Sequence, residues 1–453
     1  MADQLERIKG PVFRPGEDGY DGERAGFQAG VPERPELVVG AAAAEDVVAA
    51  VAYAAGRGLP VAVRATGHGL EVPATGGVLV STARMDGVRI DPEARTAWVE
   101  AGVRWKSVVA AAAPHGLAPL SGSAPHVGAV GYTLGGGLGL LSREFGYAAD
   151  HVRRLEVVTA DGQLRQVDAD TDPDLFWALR GGRDNFGVVT GMEIGLLPVS
   201  GLYGGALTFD ATGDVEVAAR VLATWREWTA TAPESVGSSV GLVPLPDLPV
   251  IPEPLRGRYV AQIRLASTGD PAGGEALAAP LRAIGPRLTD TLRALPYTEV
   301  GSIYQDPTNP MPFSGTNALL RELDPAVPDL ILGLAGPDAP VRCVVDVRHL
   351  GGALARSPRV PSAVGHRDAA YVVNVVSPLA GPDAAGAVNG THRRLMDALA
   401  PWTLGRFLNF LAGGSPVDLA EVYEPADRAR LATLKAAYDP AGTFRLTRPV
   451  TPS

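Results

Sequence analysis

The stretch Gly122-Ser123-Ala124-Pro125-His126-Val127-Gly128-Ala129-Val130-Gly131-Tyr132-Thr133-Leu134-Gly135-Gly136-Gly137-Leu138-Gly139 decides how this chain is read. Its last twelve residues hold six glycines. Glycine lets a backbone come within hydrogen-bonding distance of a ligand, and successive N–H groups can then turn toward an anion such as a pyrophosphate. The spacing is not the G-x-G-x-x-G fingerprint of a strand-turn-helix dinucleotide fold, which needs an acidic residue about 20 positions on. Glycines also serve tight turns and close packing, and density alone leaves that reading open.

Two more glycine loops lie in the same half of the chain, Arg64-Ala65-Thr66-Gly67-His68-Gly69 and Gly181-Gly182-Arg183-Asp184-Asn185-Phe186-Gly187-Val188-Val189-Thr190. Three such loops can wrap an extended dinucleotide. A lone histidine is more often structural than catalytic, but His68 sits inside one of these loops, which makes it a candidate.

Working outward, Val47, Val48, Val51 and Ala55 recur at helical spacing within 45–58, and 59–63 reads as a buried strand leading into the first loop. Segments 78–81 and 97–100 read as strands, and 105–113 as an apolar helix. Segments 155–159 and 164–167 flank Asp161-Gly162, which predicts a hairpin. A helix over 173–179 and a strand over 188–197 complete the first region. Beyond residue 200 the glycine loops stop. Strands are expected at 205–209, 259–266, 342–348 and 370–376, and helices at 215–229, 274–284 and 385–399, interrupted by proline-rich stretches at 244–254, 307–312 and 337–340.

Composition narrows the function. At 453 residues the chain exceeds a single hydrophobic core, so at least two domains are expected. With 40 basic and 50 acidic residues the net charge is −10, and arginines are scattered, which argues against nucleic acid or an anionic membrane as partner. Cys343 is the single cysteine and the histidines form no H-x-x-x-H pair, so no disulfide and no thiolate or zinc site is expected. No apolar run suits a signal peptide or a membrane span, so a cytoplasmic protein is the expectation.

The three loops, together with Phe145-Gly146-Tyr147-Ala148-Ala149-Asp150, Asp174-Leu175-Phe176-Trp177-Ala178-Leu179-Arg180-Gly181-Gly182, Asp346-Val347-Arg348-His349-Leu350-Gly351-Gly352-Ala353 and Tyr438-Asp439-Pro440-Ala441-Gly442-Thr443-Phe444-Arg445, resemble in order the motifs of a known family. It is that of the FAD-linked oxidases of vanillyl-alcohol oxidase (PCMH) type, berberine bridge enzyme-like subfamily. The resemblance covers nearly the whole chain. It implies an α+β fold with a PCMH-type FAD-binding domain of two α/β subdomains over 1–200, completed by 415–453. A substrate domain over 201–414 would carry an antiparallel sheet covered by helices.

The resemblance further implies FAD contacts from the first loop (Arg64 to Gly69), from Ala124, Val127, Gly128, Gly131, Tyr132, Leu134, Gly135, Gly136, Gly137 and Gly139, and from Asp150, Gly187, Val188, Val189, Asn409 and Phe410. His68 falls where the family attaches the flavin through a histidyl nitrogen, a role that suits an imidazole neutral near pH 7. Two departures matter. Ala124 stands where many members carry a second, cysteinyl link, so a single link is expected. Phe407-Leu408-Asn409-Phe410 stands where oxidases often carry a tyrosine base, so another base is needed, and Asp346 is the candidate, with Tyr132 and Tyr147 as further candidates beside the substrate.

The implied activity is oxidation of a small polyketide- or alkaloid-like molecule in specialised metabolism, with hydride passing to flavin and dioxygen as final acceptor. The alternatives are a flavin monooxygenase or oxidative cyclase, or a ligand-binding or cyclising protein with structural FAD. No macromolecular partner is expected, and the chain is read as a monomer or homodimer.

Overall fold

The computed structural model describes residues 2–69, 72–381, 383–414, 418–446 and 450. Parts of the expected C-terminal completion, 415–417, 447–449 and 451–453, lie outside the described residues. Among the described residues, three sheets organise the fold. The first runs Val12–Phe13, Leu37–Gly40, Val78–Ser81, Val61–Arg64, parallel except for its first pair. Helix Ala44–Ala55 lies against it, burying Val47, Ala50, Val51 and Ala54. That 3–4 spacing is the apolar stripe expected of a half-buried helix. The Asp46 carboxylate accepts N–H bonds from Lys9, Gly10 and Ala42, which pins the start of the chain to the helix.

The second sheet is antiparallel, in the order Val88–Asp91, Thr96–Glu100, Val188–Gly195, Val152–Val158, Leu164–Asp168. Trp105, Val108 and Ala112 of helix Trp105–Ala112 share a core with Leu175, Phe176 and Leu179 of helix Pro173–Gly182 and with Met192 and Ile194 of the central strand. The expected hairpin forms, but its loop spans 159–163 and Gly162 alone has positive φ (75°), so it is not a two-residue turn.

The third sheet is nine-stranded and antiparallel, drawn from Gly201–Asp210 to Thr403–Gly405. Helices Val215–Thr229, Pro271–Arg282, Val327–Ala335 and Ala384–Leu399 cover one face, where Leu207, Ile263, Val345, Val347 and Val373 join the helices in one core. The other face turns toward the glycine loops. The fold is therefore α+β, with an antiparallel helix-covered sheet as expected.

Several elements differ from the sequence reading. Pro271–Arg282 starts three residues before the expected helix because the Asp270 carboxylate accepts the Gly273 N–H and Pro271 suits the first helical turn. Strand Val344–His349 is displaced by one or two residues at each end, and the 188–197 strand stops at Gly195. Strands Val236–Pro244 and Phe313–Leu320 were not expected, since glycine, serine and adjoining prolines mask their alternation.

Candidate active site

A cavity of about 320 Å³ opens where the glycine loops meet the nine-stranded sheet. Strand Val61–Arg64 delivers the first loop to it. Arg64 is buried, ion-paired with Glu33 and donating to the Glu23 carbonyl, and burial draws its pKa down to about 10. Gly67 has φ +70°, and a Cβ there would come within 2.8 Å of the Gly26 Cα, so only glycine fits this turn.

The turn aims His68 at the cavity. Its Nδ1 is 2.9 Å from Thr66 Oγ1, which also accepts the Gly128 N–H, tying the first loop to the glycine-rich run. Phe27 stacks on the imidazole with centroids 4.0 Å apart, and His126 lies 4.8 Å away. Nε2 is buried with no hydrogen-bond partner among the described residues. Burial, with His126 and Arg104 adding repulsion, lowers the His68 pKa to about 3, so the ring is neutral at physiological pH.

Of the residues expected at the cofactor, Arg64 to Gly69, Ala124, Val127, Gly128, Gly131, Tyr132, Leu134, Gly187, Val189, Asn409 and Phe410 all line this cavity. Gly135, Gly136, Gly137, Gly139, Asp150 and Val188 do not. A Cβ at Gly135 would meet Asn409 Oδ1 at 1.9 Å, one at Gly137 would meet Tyr132 at 2.6 Å, and one at Gly139 would meet the Ser121 carbonyl oxygen at 2.2 Å. The first two glycines make room for side chains and the third for backbone. Asp150 pairs with Arg367 and accepts the Tyr147 N–H, and Val188 is in the core.

The three expected catalytic residues separate. Tyr132 lines the cavity, with its ring edge-on to Trp105 and its hydroxyl buried and unpartnered. Burial pushes its pKa up, so it is a phenol rather than a phenolate near neutrality. Tyr147 lies off the cavity wall, stacked on Phe407 and buried, with its pKa pushed up to about 12. Asp346 is also off the wall: Arg264 Nη1 donates to one oxygen and Arg348 Nε to the other. It is an ion-pair centre behind the wall, held between Arg264 and Arg348.

Arg183, Arg348, Phe407 and Tyr423 also line the cavity, and the sequence did not mark them as lining residues. Arg348 had a signal, since strand alternation puts residue i+2 on the same face as Asp346. Asn409 Nδ2 donates to the Tyr132 carbonyl at 2.8 Å, which holds the 407–410 segment against the glycine run.

A flavin dinucleotide fits this lining. His68 Nε2 and the Tyr132 hydroxyl have no partner among the described residues, Arg183 brings a positive charge to the wall, and a Cβ at Gly131 would enter open space rather than protein. The FAD binding domain family matches residues 35–168, which contain the first two glycine loops. The chain is similar along nearly its whole length to FAD-linked oxidoreductases. This oxidoreductase is 29% identical to the (R)-6-hydroxynicotine oxidase of Paenarthrobacter nicotinovorans over 97% of this chain and 96% of that protein. It is similar in structure to 6-hydroxy-D-nicotine oxidase from Arthrobacter nicotinovorans, with TM-score 0.83, 25% identity and 98% of each chain covered. The xylooligosaccharide oxidase of Myceliophthora thermophila C1 shares the fold at TM-score 0.84 and 22% identity, over 100% of this chain and 99% of that one.

Proposed function

We propose that this flavoprotein oxidises a small organic molecule, that His68 is its single covalent anchor for FAD, and that dioxygen takes up the electrons. The observation that carries the reading is the neutral, unpartnered Nε2 of His68 on the wall of the glycine-lined cavity. The length-wide likeness to an oxidase supports it. Bound flavin supplies the two-electron acceptor for the substrate and the electron donor to dioxygen.

The remaining work falls to this chain. Thr66 holds Nδ1 of His68 and so directs Nε2 to the cavity. The backbone of 66–69, Gly128, Gly131 and Gly187, with Arg64 and Arg183, holds the dinucleotide. Tyr132 presents a phenolic donor, and Phe407 and Phe410 keep water from the reacting face. We assign FAD binding to 1–200 completed by 415–453, and the roof and the substrate side to 201–414.

Anaerobic mixing with candidate substrates tests the reading. A true substrate bleaches the visible flavin absorbance, and readmitted air restores it with formation of hydrogen peroxide. A compound that is converted without bleaching assigns FAD a structural role and refutes oxidase chemistry.

A further inference from the structure

Arg348 is the cationic group that the cavity presents without a settled purpose. It stands on strand Val344–His349, on the face opposite Val345 and Val347, and lines the cavity together with Tyr132, Phe407 and Phe410. Among the described residues its guanidinium makes a single hydrogen bond, from Nε to Asp346. The donors on Nη1 and Nη2 have no acceptor among the described residues, and neither is a fully buried atom, so both remain accessible to a ligand.

Its orientation is fixed. The rings of Tyr304 and Phe410 lie 4.9 and 5.0 Å from its central carbon, and the Tyr304 hydroxyl is anchored 2.8 Å from Ser239 Oγ. Asp346 is shared, because its other oxygen accepts from the buried Arg264 at 3.1 Å. One carboxylate thus serves two guanidinium groups. The next carboxylate that acts on Arg348, Asp306, accepts a hydrogen bond from Ser123 at 2.6 Å. Gly241 makes this arrangement possible, since a Cβ there would lie 2.3 Å from Arg264 Nη1.

We infer that Arg348 receives an oxyanion of the substrate, a carboxylate or an ionised enol or phenol, through its Nη1 and Nη2 fork. The inference rests on the flavin-enzyme reading and names the substrate class of the same site. A planar fork with two free donors matches an oxyanion, and charge-assisted bonds of this kind are the strong ones. For an enolate or phenolate the same feature answers the missing base, because such a substrate has already lost the proton that neither Phe407 nor Phe410 can accept; a carboxylate substrate still needs an acceptor for that proton.

The probe is benzoate, with neutral benzamide as its isostere, and binding to the purified holoprotein is read by calorimetry and by perturbation of the flavin absorbance. Benzoate is expected to bind at least tenfold more tightly than benzamide. Arg348→Met is expected to weaken benzoate by about 10- to 100-fold and to leave benzamide unchanged, the worth of one charged hydrogen-bonded contact. Arg348→Lys, which keeps the charge without the fork, should fall between them.

4-Cyanophenol separates the two sources of the anion. Binding that tightens as pH rises through the phenol's own pKa identifies an enolate or phenolate site, and binding of benzoate alone identifies a carboxylate site. Equal affinity for benzoate and benzamide in the wild type overturns the inference without recourse to any variant, as does benzoate binding indifferent to Arg348→Met. A protein purified without flavin refutes the enzyme reading instead, and absorbance before any titration distinguishes the two failures.

Discussion

Asp346 holds two guanidinium groups with one carboxylate on the cavity side of the sheet, and this residue shows how far single positions can be read from sequence. Its place on a strand and its ion-pair partner two residues on were both legible, because alternation is a local property. Arg264 was not legible, since it comes from a strand 82 residues away and reaches Asp346 only because Gly241 lies between them. Replacing the carboxylate takes the countercharge from buried Arg264 and leaves Arg348 only the weaker attraction of Asp306. Asp346→Asn is therefore expected to lose about 3–5 kcal/mol of stability, the usual cost of breaking a buried pair. Urea unfolding checks this, and an unchanged midpoint would mean that the guanidinium groups find other partners.

At the scale of elements, the glycine-rich run divides into two parts. Gly128 and Gly131 belong to the cavity wall, whereas Gly135 and Gly137 admit Asn409 and Tyr132 and Gly139 admits the Ser121 backbone. The run itself was plain in the sequence. Its division was not, because it depends on which side chains arrive from elsewhere, Asn409 from the far end of the chain among them. Gly131→Val adds a side chain at a position where a Cβ would meet no atom within 4 Å, and so projects into the cavity. The variant is expected to keep its fold, with far-ultraviolet circular dichroism unchanged, and to lose at least tenfold in bound flavin per chain. Gly137→Ala should instead destabilise the protein, because its Cβ would press on Tyr132 and Ala148 at 2.6 and 2.7 Å and its φ is +77°. Thermal unfolding of the two variants separates a wall glycine from a packing glycine.

Across the whole molecule, the broad architecture was legible from ordered motifs and from the change of pattern near residue 200, while strands interrupted by glycine and serine were not. Packing also buries histidines in the neutral form. His349, which lies 2.9 Å from Arg143 Nη1, falls to about 3 from an ordinary 6.5, and burial lowers His392 to about 4. Below about pH 6.5 the unfolded chain takes up protons that these rings refuse when folded. Their contribution is complete above that pH and is lost as pH falls toward 4, by up to about 1.4 kcal/mol per pH unit for each ring. Denaturant midpoints measured between pH 7 and 5 should decline accordingly, and a flat profile would contradict the buried neutral state. The central claim, that the cavity holds FAD tethered at His68, is tested most directly by the mass of the whole denatured chain and of its His68 peptide. One FAD is expected on the chain, located on that peptide and absent from His68→Ala, which keeps only extractable flavin. A bare polypeptide mass, or flavin on another peptide, would contradict it.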